Sequence, residues 1–271
     1  MPGWEESVTH RGDNWANTAA YERYVGRWSR LVAQDFLQWL NLPPAADWLE
    51  IGCGTGAFTE TILQGAQPAT ISGIDPSESF LAAAREHVQD TRVTFQTGNA
   101  MSIPLGNEMF DVVVSGLVLN FVPRPEVGLS EMWRVARRGG TVAVYVWDYT
   151  GEMQMMRYFW DAAEELDPGV ADRIEGLRFP FCKPEPLVEL FRGAGLTGVE
   201  VRAIDAPTNF RDFDDYWSPF LGGQGPAPGY AMSLTEEKRI ALREQIRSQL
   251  PIEPDGTISL IARAWAIRGR K

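Results

Sequence analysis

Gly52, Gly54 and Gly56 fall within the run WLEIGCGTGAFT at residues 48–59. Glycines at alternate positions after an apolar run suit one task. They let a strand turn sharply into a helix and let a ligand lie against the main chain with no Cβ in the way. Read as Gly-x-Gly-x-x-Ala, the loop also satisfies a dinucleotide fingerprint, so it predicts a nucleotide site without fixing which nucleotide. Cys53, inside the loop, reads as packing rather than as a nucleophile. Asp75 ends the next apolar run, TISGID, where a carboxylate can accept hydrogen bonds from both ribose hydroxyls. The following Pro76 and Ser77 also suit the start of a helix, and Asp75 could serve as its cap. Asn99 lies in TGNAMSIPL, just past a third run, where an adenine edge would sit. Its side-chain amide can meet an exocyclic amine, and Ala100 and Met101 add backbone hydrogen bonds and an apolar face. Gly98-Asn99 would equally form an ordinary turn. Ser115 and Gly116 close the run FDVVVSG, beside the glycine loop in a doubly wound sheet.

A scaffold must bring the ends of these runs together, and the hydrophobic pattern supplies one. WLEI at 48–51, TISGID at 70–75, VTFQT at 93–97, FDVVVS at 110–115 and TVAVYVW at 141–147 are expected as strands. Helical patterns separate them, at Ala57 to Leu63, Ser77 to about Val88, and Pro125 to about Ala136. Arg137 and Arg138 favour the dipole at the end of the last helix, and Gly139-Gly140 stops it. This rhythm predicts a parallel α/β sheet with helices on both faces. FDVVVS is apolar on both faces, as a central strand should be.

After Trp147 the rhythm breaks. Residues 150–183 carry Met153, Met155, Met156, Tyr158, Phe159 and Trp160, a helical insertion with an apolar face. It packs as core or walls an acceptor pocket, since Met and aromatic side chains adapt to irregular ligands. A helix at 184–195, a strand at 198–204, a helix from about Asp212 to Phe220, a flexible loop GGQGPAPG at 222–229 and a helix at 234–250 follow. ISLIARAWAI at 258–267 is expected as a strand pairing antiparallel inside the sheet. Residues 1–46 read as an N-terminal cap and 47–271 as the main domain, with insertions at about 150–183 and 212–250.

Composition narrows the partners. The chain has 271 residues and a net charge of −11. An acidic surface repels phosphate backbones, so nucleic acid is not expected as a partner. Two cysteines, Cys53 and Cys182, make no disulfide framework, and two histidines, His10 and His87, build no His-rich metal site. No run reaches the length of a bilayer span and no signal peptide is evident, so a cytoplasmic protein is expected.

Leu-Glu-Ile-Gly-Cys-Gly-Thr-Gly resembles motif I of the class I methyltransferases, and Asp75 matches their acidic residue after strand two. Gly98-Asn99-Ala100 is similar to their Gly-Asp-Ala, Phe110-Asp111-Val112-Val113 to their fourth-strand motif, and Glu131 to Tyr145 to their helix, Gly-Gly turn and fifth strand. The chain most resembles the bacterial type 11, ubiquinone-biosynthesis-like small-molecule subgroup. The resemblance implies a Rossmann-like seven-stranded sheet of order 3-2-1-4-5-7-6 with strand seven antiparallel. It implies S-adenosyl-L-methionine as cofactor and S-adenosyl-L-homocysteine as product. Glu50 resembles the family's acidic position before the first glycine. Gly116 would let the methyl-bearing sulfur approach the backbone. The N-terminal segment resembles a helical cap, from which Tyr21 and Arg30 are expected to meet the methionine carboxylate. Asn99 departs from the commoner aspartate. Leu119-Asn120-Phe121-Val122 stands where many relatives carry a histidine pair, so a histidine base is absent there.

Methyl transfer is an in-line displacement at a carbon on positive sulfur, and the cofactor carries the activation. The protein must hold a nucleophile about 3 Å from that carbon in a dry pocket. Asp148, just after strand five, and Asn120 are the candidate catalytic residues, though either suits a loop or turn equally well. Catalysis mainly by proximity and desolvation, with no dedicated metal, is expected. Trp15, Trp147 and Tyr158 are candidate pocket walls, and ten tryptophans suggest an apolar or aromatic small-molecule acceptor. The alternatives are a nicotinamide-dependent oxidoreductase on the same loop, against which stands the lack of a Tyr-x-x-x-Lys pair, and a non-catalytic cofactor-binding module. The oligomeric state is not legible.

Overall fold

The computed structural model describes residues 22–223 and 225–271. Trp15 and Tyr21 lie outside the described residues. The chain forms two compact units. The first takes in Arg30–Val146, Lys183–Ile204 and Trp265–Lys271, and so holds the glycine loop. The second takes in the described residues up to Ser29, with Trp147–Cys182 and Asp205–Ala264.

In chain order the elements are α1 (Arg27–Leu40), β1 (Asp47–Ile51), α2 (Ala57–Gly65), β2 (Thr70–Asp75), α3 (Glu78–His87), β3 (Val93–Thr97) and β4 (Phe110–Gly116). There follow α4 (Pro125–Val135), β5 (Ala136–Trp147), α5 (Gln154–Leu166), α6 (Glu175–Arg178) and α7 (Pro184–Gly193). The chain then runs through β6 (Thr197–Phe210), α8 (Phe213–Trp217), α9 (Pro226–Ser233), α10 (Glu236–Gln249) and β7 (Ile258–Arg270). Seven strands form one sheet of order β3-β2-β1-β4-β5-β7-β6.

β1 pairs parallel with β2 and β4, β2 with β3, and β4 with β5. β7 is antiparallel to β5: Gly139 N donates to Lys271 O at 2.9 Å and Lys271 N to Gly140 O at 3.1 Å, so the start of one strand meets the end of the other. The sheet is therefore the mixed, Rossmann-like one that the resemblance implies.

The first unit's core is the meeting of strands apolar on both faces. Leu49, Ile71, Ile74, Val113, Val142 and Val144 are fully buried. Helix α1 adds Phe36, whose ring lies 4.7 Å from that of Tyr145 and 6.0 Å from that of Phe58. The second unit has an aromatic core of its own. Phe159 stacks on Phe220 at 4.6 Å, and Tyr216 sits 5.4 Å from Phe220 while its hydroxyl donates to Met155 O.

Four expectations need correction. Helix α4 stops at Val135, and Ala136 already pairs with Phe110 in β5. The register then jumps so that Val112 faces Thr141, which makes residues 137–140 a bulge with Gly139 at φ +76° rather than a helix end. β6 runs to Phe210, well past 204, because Ala206, Thr208 and Phe210 keep alternating inward. Pro207 is tolerated there because β6 is an edge strand. The segment expected as a flexible loop at 222–229 enters helix α9 at Pro226, since proline suits a first helical turn. Only Phe213–Trp217 of the helix expected to reach Phe220 is α-helical; a 3-10 turn over Ser218–Gly222 follows.

Candidate functional site

The site in the first unit grows from the end of β1. Gly52, Gly54 and Gly56 have φ of +73°, +53° and +87°, the left-handed region that only glycine enters at little cost. Their reasons differ. A Cβ on Gly52 would lie 2.5 Å from Val118 Cγ1, and one on Gly56 2.9 Å from Val88 Cγ2, so both are also packed shut. A Cβ on Gly54 would meet nothing within 4 Å. Here the bare backbone faces open space, as a cradle for a ligand requires.

Asp75 holds that loop in shape. Its Oδ2 accepts from Gly54 N at 3.0 Å and its Oδ1 from Ser77 N at 2.9 Å. Gly52 N and Cys53 N both donate to Ile74 O, one residue earlier. The carboxylate is nearly buried, and burial raises its pKa while the two amide donors pull it down. Two of its four lone-pair positions are used, which leaves the others for hydroxyls. The helix cap itself is Ser77, whose Oγ accepts from Phe80 N. Pro76 bridges the two residues and is half-buried.

Glu50 lies beneath the loop and is 1% exposed. It accepts a hydrogen bond from Thr59 Oγ1 on α2. Burial drives its carboxyl up to about 7, the Thr59 hydroxyl opposing and the Asp75 charge adding to the rise. Cys53 is buried, and its thiol is held far above the ordinary range by burial. A Cβ on Gly73 would lie 3.0 Å from its Sγ, so Cys53 packs against β2.

Asn99 bends back on its own turn: its Oδ1 accepts from Met101 N at 2.8 Å, and its main-chain carbonyl from Ser102 N at 3.0 Å. Ala100 and Met101 are half-buried beside it. Ser115 Oγ donates to Ile51 O at 3.0 Å and fastens the end of β4 to the end of β1. Above Gly116 stands the Tyr145 hydroxyl, which a Cβ would approach to 2.5 Å. Leu117, the next residue, has φ +60° and donates its N–H to Tyr145 O at 2.8 Å. A leucine in the left-handed region is strained and marks a lip that its surroundings hold in place.

Thr59, Leu117 and Tyr145 escaped the sequence reading. Thr59 alone left a trace, as one of two threonines among the residues that α2 buries. Asn120 is buried in the 3-10 turn Leu119–Phe121 that follows. Arg30 is exposed on α1. In the second unit, Trp147 and Asp148 are buried and Tyr158 is half-buried on α5. Asp148 Oδ2 accepts from Glu152 N at 3.0 Å, and its main-chain carbonyl from Met153 N at 3.1 Å, so the carboxylate closes the turn after β5.

A groove of about 510 Å³ beside Gln34, Trp48 and Gln64 lies at the opposite, N-terminal end of β1. Among the described residues no group of three or more His, Cys, Asp or Glu side chains could hold a metal ion, and no helix is long and apolar enough to cross a membrane.

A sheet of this order with such a loop at the end of β1 is similar to that of the class I S-adenosylmethionine-dependent methyltransferases, and the chain resembles their type 11 group. Residues 49–144 match the family described as methyltransferase domain. The chain is 28% identical over 177 residues to a demethylmenaquinone methyltransferase of Roseiflexus sp. (strain RS-1), covering 61% of this chain and 74% of that protein. It is 30% identical over 167 residues to a trans-aconitate 2-methyltransferase of Variovorax paradoxus (strain S110), covering 60% and 63%. The fold is similar to that of phosphoethanolamine N-methyltransferase 2 of Haemonchus contortus, solved in complex with S-adenosyl-L-methionine, with a TM-score of 0.57 at 17% identity, over 93% of this chain and 56% of that one. The chain is thus an S-adenosylmethionine-dependent methyltransferase, which decides between the nucleotides that the loop alone left open and sets aside the oxidoreductase and non-catalytic readings.

Proposed function

We propose that this enzyme methylates a small-molecule acceptor and that its cofactor lies along the ends of β1, β2 and β4. In this reading Gly52, Cys53 and Gly54 present main chain to the cofactor, Asp75 accepts from its ribose hydroxyls, and Asn99 with Ala100 and Met101 lines the adenine side. Glu50 supports the loop from below, and Ser115 and Gly116 border the sulfonium. A cation on sulfur is favoured by the Asp75 carboxylate and, once it is ionised, by Glu50 beneath the same loop. Tyr21 and Arg30 are assigned to the methionine carboxylate, and Trp15, Trp147 and Tyr158 to the acceptor. The observation that carries the reading is the open backbone at Gly54 combined with the Gly54–Asp75 bond.

The demethylmenaquinone and trans-aconitate methyltransferases among the relatives support a small organic acceptor over a macromolecule. The acidic balance of the chain, −11, points the same way.

Bound cofactor supplies an electrophilic methyl group. The chain's own residues orient it, exclude water and align the acceptor, so proximity and desolvation do most of the work. Asp148 closes a turn, which supports a positioning task for it rather than proton abstraction. Titration calorimetry with S-adenosylhomocysteine tests the site. Asp75→Ala is expected to weaken binding by about tenfold or more, through the lost hydroxyl contacts and the loosened loop. Equal affinity in wild type and variant would end the assignment.

A further inference from the structure

Arg27 begins α1, in the second unit. Its guanidinium lies over two rings of that unit, 4.2 Å from the centroid of Trp28 and 5.0 Å from that of Phe210. Its Nη1 stands 3.6 Å from Asp215 Oδ1, an ion pair too long to be a hydrogen bond. Its Nε and Nη2 are closed off from solvent and have no hydrogen-bond acceptor among the described residues. These two N–H groups form one edge of the guanidinium, the parallel fork that matches the two oxygens of a carboxylate.

The neighbours repeat the pattern. Trp28 Nε1 is also buried with no acceptor, on a ring that packs 5.6 Å from Phe210. Thr208 Oγ1 is a third buried group without a partner, on the same face of β6 as Phe210 and one pleat away. Leaving one such donor unpaired costs more than most single contacts contribute, so several together favour a ligand that accepts. The donors belong to the unit that does not contain the glycine loop.

We propose that Arg27 and Trp28 form a binding site for the carboxylate of a small organic acid in the second unit. The rings of Trp28 and Phe210 flank the fork and suit a planar anion. Asp215, already shared with the Arg211 N–H, opposes a second negative charge and so favours a carboxylate over a phosphate dianion. The Arg27 side chain as a whole is 35% exposed, although its Nε–Nη2 edge is closed off.

The test titrates the full chain with benzoate and 3-phenylpropionate, with the matching amides as neutral controls, and separately with S-adenosylhomocysteine. The acids should bind and the amides bind at least roughly tenfold more weakly. Arg27→Lys keeps the charge but loses the fork. It and Arg27→Met should each weaken the acids by about tenfold, and Trp28→Phe by about threefold, with S-adenosylhomocysteine unchanged within about twofold. Thermal melting of each variant checks folding, and if Arg27→Met does not fold, Trp28→Phe and Arg27→Lys carry the reading. Acids and amides binding alike would overturn the proposal, as would acid affinity indifferent to these substitutions. Loss of S-adenosylhomocysteine in Arg27→Lys would overturn it too, by giving the fork to the cofactor's own carboxylate. A wild type that binds S-adenosylhomocysteine but neither acid removes this inference and leaves the cofactor reading standing. A wild type that binds the acids but not S-adenosylhomocysteine does the reverse.

Discussion

Replacing Glu50 with glutamine should make the ligand-free protein more stable above neutral pH. The carboxyl is fully buried with Thr59 Oγ1 as its hydrogen-bond donor, and burial holds it at about 7 against an ordinary 4.5. A group whose pKa is raised on folding binds its proton more tightly in the native state, so stability is present at low pH and drains away as pH rises from 4.5 to about 7. That rise is worth about 3 kcal/mol by the linkage between proton binding and folding. Glu50→Gln keeps an acceptor for Thr59 and removes the charge. Urea unfolding of the whole chain at a series of pH values from 5 to 8 should show wild-type stability falling by up to about 3 kcal/mol, and the variant falling by much less. The two should be close at pH 5 and apart at pH 8. Asp75, also raised by burial, contributes a slope of the same sign that both proteins share. Lowered carboxyls such as Glu131 act in the opposite sense and only at pH below the ordinary carboxylate range, so they do not mask the effect. Parallel pH curves for wild type and variant would refute the reasoning. If Glu50 serves the cofactor as proposed, the stabilised variant should bind S-adenosylhomocysteine less well.

The glycines of the loop should separate by position. Gly54→Ala should cost about 1 kcal/mol of backbone strain, yet abolish measurable cofactor binding, because its Cβ projects into open space. Gly52→Ala should cost about 2–3 kcal/mol, from strain plus overlap with Val118, as thermal melting would show. Arg134 donates to the carbonyls of Ile103 and Leu105 as well as to Glu131, so Arg134→Met should destabilise by about 2 kcal/mol in urea unfolding while leaving cofactor affinity near wild type. Asp75→Asn keeps the shape but puts an N–H₂ opposite one of the amide donors, Gly54 N or Ser77 N, and should weaken S-adenosylhomocysteine binding nearly as much as Asp75→Ala in the same titration.

Much of the sheet was legible because its strands carry uninterrupted apolar runs between clear breakers. β2 and β3 begin and end where TISGID and VTFQT do. β6 runs past the strand expected at 198–204 because the inward alternation of Ala206, Thr208 and Phe210 continues across Pro207 and Asn209. The bulge at 137–140 was hidden because Arg-Arg-Gly-Gly also describes a helix end, and only pairing with β4 decides between the two. In the site, the glycine torsions and the carboxylate after β2 follow from local geometry and could be read. Thr59 beneath Glu50, the strained Leu117 and the Tyr145 hydroxyl over Gly116 depend on which strands lie side by side. A single sequence does not display those neighbours.

The three bonds that tie Gly52, Cys53 and Gly54 to Ile74 and Asp75 have a further consequence. These amides should exchange slowly with deuterated solvent even before any ligand arrives, unlike those of an ordinary glycine-rich loop. A loop already rigid gives up little disorder when it receives its guest, so the energy of contact goes into holding that guest rather than into assembling its seat.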